Sequence, residues 1–282
     1  MNLRVLLFIA AIVCLALLGA RGLTPPRPTA SGTIGRGPTI VLIHGLGSSA
    51  SHWVPAARLL AQRHRVVLVD LPGHGASEMP EPLTLERAAQ ALDLALATDA
   101  PIPCILVGHS VGGLVAAVEA LDHPERVRGL VLVETALKPQ VDAHQRAALL
   151  DAIARDYAGT LHSVYVSFGR DSAQGEALYG EARQLDPAMM KAWIRLAVTS
   201  DLSGRATSFT VPLLVVLSAR SWPDGEPWAR TAEALGYGGV PRLESVRIED
   251  AGHFVMLDHP EQVAAAIERF TAHPEADLVA GR

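Results

Sequence analysis

Residues 108–112 read Gly-His-Ser-Val-Gly, with an apolar run before them (residues 104–107) and another after (114–118). A strand, a sharp turn and a helix in that order can present Ser110 for nucleophilic attack. Gly108 and Gly112 keep the corner free of side chains that would collide across it. The backbone N–H of Val111 opens the following helix, where unpaired amides favour negative charge. A serine hydroxyl is a poor nucleophile at neutral pH, so the chain must also supply a base and a group that orients the base. The five-residue pattern alone arises by chance in roughly one chain in ten of this length and glycine content, so the flanking strand and helix carry the argument.

Gly252-His253-Phe254 follows the apolar run at residues 243–248 and precedes a C-terminal helical pattern. An imidazole on a loop at the carboxyl end of a strand can reach Ser110, take its proton and return it to the leaving group. His123 and His259 are each followed by Pro-Glu and read as helix entries. The orienting carboxylate is expected between serine and histidine along the chain. Asp224, in Ser221-Trp-Pro-Asp-Gly-Glu, is the first candidate, and Glu134, at the end of the run 129–133, is the alternative. His44-Gly45-Leu46-Gly47 ends the first apolar run. There the Leu46 N–H can join the Val111 N–H in an oxyanion hole, whose single donors are typically worth ~3–4 kcal/mol. Asp70-Leu-Pro-Gly-His-Gly-Ala-Ser reads as a rigid turn, and no chemistry is assigned to its His74.

To bring these residues together, the chain must alternate strands and helices. Continuous apolar runs at residues 39–43, 65–69, 104–107, 129–133, 213–217 and 243–248 read as strands buried on both faces. Helical patterns at 53–61, 84–97, 111–121 and 262–270 separate or follow them. Such alternation predicts right-handed crossovers, a doubly wound and mostly parallel α/β sheet, and a ligand site at the carboxyl ends of the strands. Between residues 133 and 213 no strand is legible. Helical patterns at 143–157, 175–184 and 187–198 predict an insertion over that edge, with lid bounds of about 135–207.

With 49% hydrophobic and 19% charged residues, the 282-residue chain is globular rather than disordered. A net charge of −5 without a basic cluster speaks against nucleic-acid binding. Two cysteines, Cys14 and Cys104, exclude a disulfide framework, and the scattered histidines show no metal-ligand spacing. No metal or cofactor is predicted, and the expected partner is a small acyl substrate. Arg4 precedes an uncharged apolar run at residues 5–20, which predicts a signal peptide or membrane anchor over 1–22 and an exported protein. Residues 23–38 read as a Pro/Gly-rich linker, 39–272 as the folded domain and 273–282 as a tail. Oligomeric state is not legible.

Val-Leu-Ile-His-Gly-Leu-Gly, Asp-Leu-Pro-Gly-His-Gly-Ala-Ser, Val-Gly-His-Ser-Val-Gly-Gly and Ala-Gly-His-Phe-Val-Met-Leu-Asp-His-Pro-Glu occur in that order. With them the chain from about 39 to 270 resembles the α/β-hydrolase superfamily, nearest its lid-bearing esterases and lactonases. The resemblance implies that Ser110 is the nucleophile, His253 the base, and the Leu46 and Val111 amides the oxyanion hole. It also implies an acid a short turn after the fifth parallel strand, where this chain has Ser221, and an N-terminal hairpin for which the linker leaves little room. The implied activity is hydrolysis of an ester-type bond in a small or medium hydrophobic substrate. A binding protein on the same scaffold and an acyltransferase are the alternatives.

Overall fold

The computed structural model describes residues 30–75 and 77–272. The segment read as an export signal, the start of the linker and the tail lie outside the described residues. The apolar runs form the strands. β1 (Ala30–Gly35), β2 (Thr39–Ile43), β3 (Arg65–Val69), β4 (Cys104–His109), β5 (Val127–Val133), β6 (Leu213–Ser218) and β7 (Leu243–Ile248) make one sheet in the order β1-β3-β2-β4-β5-β6-β7. Every neighbouring pair is parallel except β1 with β3. β2, β4 and β6 are buried from end to end. Burying each Val, Leu or Ile there contributes about 1.5–3 kcal/mol, so these strands are a rigid base for the loops at their ends.

α1 (Val54–Leu60) leads from β2 to β3, α2 (Leu85–Asp99) from β3 to β4, and α3 (Val111–Asp122) from β4 to β5. The first step runs outward from β2 and the second returns across it. With right-handed crossovers, α1 and α2 therefore cover opposite faces. The strand order reverses at β2, which puts the crevice beyond the carboxyl ends of β2 and β4.

Four helices stand between β5 and β6: α4 (Ala143–Arg155), α5 (Tyr157–Phe168), α6 (Ser172–Ala182) and α7 (Pro187–Thr199). Each starts at an aspartate, Asp142, Asp156, Asp171 or Asp186, whose carboxylate accepts a first-turn N–H. Such a cap is worth about 1 kcal/mol and fixes where each helix begins. The cap at Asp156 also splits the single helix expected over residues 143–157 and starts α5, which the sequence pattern did not show. After β6, α8 (Trp228–Leu235) leads to β7. α9 (Val255–Asp258) and α10 (Pro260–Ala272) follow, and α10 packs on α1.

The linker expectation is corrected at residues 30–35. They form β1, antiparallel to β3, with Ala30 opposite Val69 and Gly35 opposite Arg65. Backbone pairing at a sheet edge needs no apolar pattern, which is why Ala-Ser-Gly-Thr-Ile-Gly read as linker.

Candidate active site

Ser110 sits between β4 and α3 at φ 52°, ψ −125°. This is a positive φ on a non-glycine residue, a strained state that persists only where the surroundings enforce it. They do so closely. A Cβ on Gly108 would come within 2.5 Å of Gly113 Cα, and one on Gly112 within 2.1 Å of the His44 carbonyl oxygen. The Ser110 N–H donates to the Val133 carbonyl at 2.9 Å, and the Thr135 hydroxyl donates to the Ser110 carbonyl at 3.0 Å. The corner is thus tied to the end of β5. Val111 is the first residue of α3, so its N–H has no acceptor within the helix.

His253 enters on the loop after β7, and both of its backbone groups are held. Its N–H donates to the Phe168 carbonyl at 2.8 Å, and its carbonyl accepts from His109 Nε2 at 2.9 Å. His109 is fully buried, and burial, followed by the neighbouring His253, keeps its imidazole well below the ordinary value and neutral. The His253 ring lies against Phe168, with centroids 4.6 Å apart.

The carboxylate that meets His253 is Glu134. His253 Nδ1 donates to Glu134 Oε2 at 3.3 Å, longer than the about 2.8 Å of a tight charge-assisted pair, as resting sites often are. Glu134 follows β5 directly, has φ 47°, and donates its N–H to the Val216 carbonyl at 2.9 Å. The Ser218 N–H donates to its Oε1, and the Ser221 hydroxyl donates to its Oε2 at 2.7 Å. Burial alone would raise the Glu134 pKa. The hydrogen bond and charge of His253, then Ser218 and Ser221, outweigh burial and hold the carboxyl below its ordinary value.

The first expectation for this position, Asp224, is corrected. Its side chain is 97% exposed and pairs with Arg247 at 3.5 Å. The turn after β6 explains why. The Ser221 and Trp222 amides fold back onto the Ser218 carbonyl, so Ser221 faces Glu134 while the following Pro-Asp-Gly projects outward.

The loop after β2 is fixed by groups whose parts the sequence did not reveal. His44 Nε2 accepts the Leu71 N–H at 3.0 Å, so its proton lies on Nδ1, which donates to the Gly45 carbonyl at 2.7 Å. The peptide is planar and trans, so fixing the Gly45 carbonyl turns the Leu46 N–H to the opposite side. The Tyr165 hydroxyl of α5 donates to the Leu46 carbonyl at 2.9 Å. His74 Nε2 accepts the Gly47 N–H at 3.3 Å, and burial lowers its pKa to about 3, so it stays a neutral acceptor.

Leu46, Ser110, Val111 and His253 all line one cavity of about 150 Å³. The remaining wall is mostly apolar, with Leu149 and Ile153 from α4, Phe168 from α5, and Ile194 and Val198 from α7. Among the described residues, no Asp, Glu, Lys or Arg lines it.

Known proteins resemble this chain in sequence and in fold. A sequence model of the alpha/beta hydrolase family matches residues 40–266. A pimeloyl-[acyl-carrier protein] methyl ester esterase of Xanthomonas oryzae pv. oryzae is 30% identical over 257 residues, covering 85% of this chain and 97% of that protein. The enzyme of the same name from Aeromonas hydrophila is 29% identical over 254 residues, covering 84% and 96%. Among solved structures, a thermophilic esterase from Thermogutta terrifontis superposes with a TM-score of 0.72 at 23% identity, over 87% of this chain and 93% of that one. The enol-lactonase from Burkholderia xenovorans LB400 gives 0.72 at 21%, over 86% and 95%. The fold, the order of motifs and the family match agree: the chain belongs to the alpha/beta hydrolase family and is a hydrolase.

Proposed function

We propose that the protein is a serine carboxylic ester hydrolase for uncharged, small to medium hydrophobic acyl esters. Ser110 attacks the acyl carbonyl while His253 Nε2 takes its proton. The Leu46 and Val111 amides receive the oxyanion. The His253 proton then passes to the departing alcohol, leaving the acyl group on Ser110. Water, deprotonated by His253, releases the acid. Glu134 holds the Nδ1–H tautomer of His253 and stabilises the imidazolium as it forms.

The observation that carries this reading is the contact of His253 Nδ1 with Glu134 under a cavity whose wall includes Ser110. The uncharged wall supports neutral acyl chains, since a free carboxylate would find no countercharge there. The relatives' names support a methyl or other short alcohol ester as the bond. The insertion acts as the lid of the acyl pocket. A p-nitrophenyl ester series from acetate to decanoate, run beside Ser110→Ala, tests the reading. We expect turnover to peak at intermediate length and to fall by about 10³-fold or more in the variant. A variant that keeps its activity would overturn the nucleophile assignment. Export remains part of this proposal, supported by Arg4 and the apolar run at residues 5–20. Recovery of the intact chain in the cytosolic fraction of its host would remove it.

A further inference from the structure

A second cavity, of about 250 Å³, lies against the other side of His253. It is lined by Glu134, Ser167, Phe168, Ser218, Arg220 and Ser221 together with His253. Phe168 and His253 line both cavities, so the two chambers meet at this pair, whose ring centroids lie 4.6 Å apart. The two chambers differ in character. The first is apolar and holds Ser110. The second gathers a carboxylate, a guanidinium and hydroxyls. A polar cavity with several donors and acceptors is where ordered water settles. At ~30 Å³ per molecule, the chamber has room for more than one.

We propose that this polar chamber holds the water that cleaves the acyl-enzyme, and that the edge of the Phe168–His253 pair is its passage to Ser110. The inference rests on the serine hydrolase reading above. An acyl chain seated in the first cavity covers the apolar wall and leaves little there to hold water. The second cavity places water beside the base without crossing that chain. In the step itself, the water oxygen bonds to the acyl carbon and its proton moves to His253 Nε2. The bond from the acyl carbon to Ser110 Oγ then breaks, and the Nε2 proton passes to Oγ.

Ser167 is exposed on the solvent side of the chamber and belongs to neither the acyl pocket nor the proton path. Ser167→Cys, modified after folding with an aromatic methanethiosulfonate, plugs the chamber and can be reopened with a reductant. Wild-type protein treated in the same way controls for Cys14 and for the buried Cys104. Rapid mixing with p-nitrophenyl butyrate separates acylation, read as the burst, from deacylation, read as the later steady rate. In the plugged enzyme we expect the burst rate to stay within about twofold and the steady rate to fall about tenfold or more. Intact mass should then show the butyryl enzyme accumulating, and the reductant should restore turnover. A steady rate unaffected by the plug, or equal slowing of both phases, would overturn the inference. Turnover retained in Ser110→Ala with no serine-bound acyl group in any form would instead remove the nucleophile assignment, and this inference with it.

Discussion

Glu134 Oε1 receives the Ser218 N–H, while Oε2 receives both the Ser221 hydroxyl and His253 Nδ1. All three partners donate, so only a carboxylate satisfies them together. In Glu134→Gln, one end of the side chain becomes an NH2. If the amide oxygen stays on Ser218, the NH2 faces His253 and favours the tautomer with its proton on Nε2, which cannot accept from Ser110. We expect kcat to fall by about 10²–10⁴-fold in Glu134→Gln. Asp224→Asn, which changes only a solvent-exposed partner of Arg247, should stay within about twofold of the parent. The reverse pattern would restore Asp224. Glycine spacing and position after a strand mark Ser110 and His253 in the sequence, and the structure brings both to one cavity. The carboxylate that meets His253 was not legible, because Asp224 and Glu134 both follow strands, and only the folded turn after β6 decides which one faces His253. The backbone strain at Ser110 and Glu134 left no trace in residue type.

The strands were legible for a plain reason: a strand buried on both faces must be apolar throughout, and that leaves an unbroken run. β1 escaped because it is held by backbone pairing at an edge. The insertion was legible as helical but not in its seams, which depend on four aspartate caps. It contributes much of the wall of the cavity beside Ser110, and it also ties itself to the loops after β2, β3 and β7. Tyr165 bonds the Leu46 carbonyl, the Trp193 indole N–H donates to the Pro72 carbonyl at 2.9 Å, and the Phe168 carbonyl holds the His253 loop. These bonds to the core give the cavity a fixed depth, set by side chains from α4, α5 and α7. Ala197 on α7 lines the cavity and is not one of the residues that the proposal gives a chemical role. Ala197→Phe should therefore shorten the pocket without touching the chemistry. The kcat/KM for p-nitrophenyl octanoate should fall by at least about 10–200-fold relative to acetate, the span expected when even one methylene loses its space. Equal loss on both esters would mean that the acyl chain lies elsewhere.

Across the whole molecule, buried titratable groups set how stability depends on pH. His52, His74 and His109 are buried, and in each burial is the main cause of a lowered pKa, which reaches about 3 for His74. An unfolded histidine binds its proton near pH 6.5. Below that pH the unfolded chain takes up protons that these folded histidines refuse, so stability falls as pH falls. Glu119 on α3 has the opposite sign. Burial first, then the charge of Asp93, raises its carboxyl to about 8. The folded chain keeps that proton while the unfolded one loses it above about 4.5, so stability falls as pH rises until the folded group also ionises near 8. Each group within its window contributes a slope of about 1.4 kcal/mol per pH unit. Between pH 6.5 and 8 Glu119 acts alone. Below 6.5 the three histidines outweigh it, since each of them loses stability toward acid pH and Glu119 alone opposes them. Stability should therefore peak near pH 6.5 and fall toward acid pH. Urea midpoints measured from pH 4.5 to 8.5 would trace this dome. Glu119→Gln should flatten its alkaline side while leaving the acid side steep. A parent midpoint that stays level from 6.5 to 8 would show that Glu119 is already ionised in the folded protein.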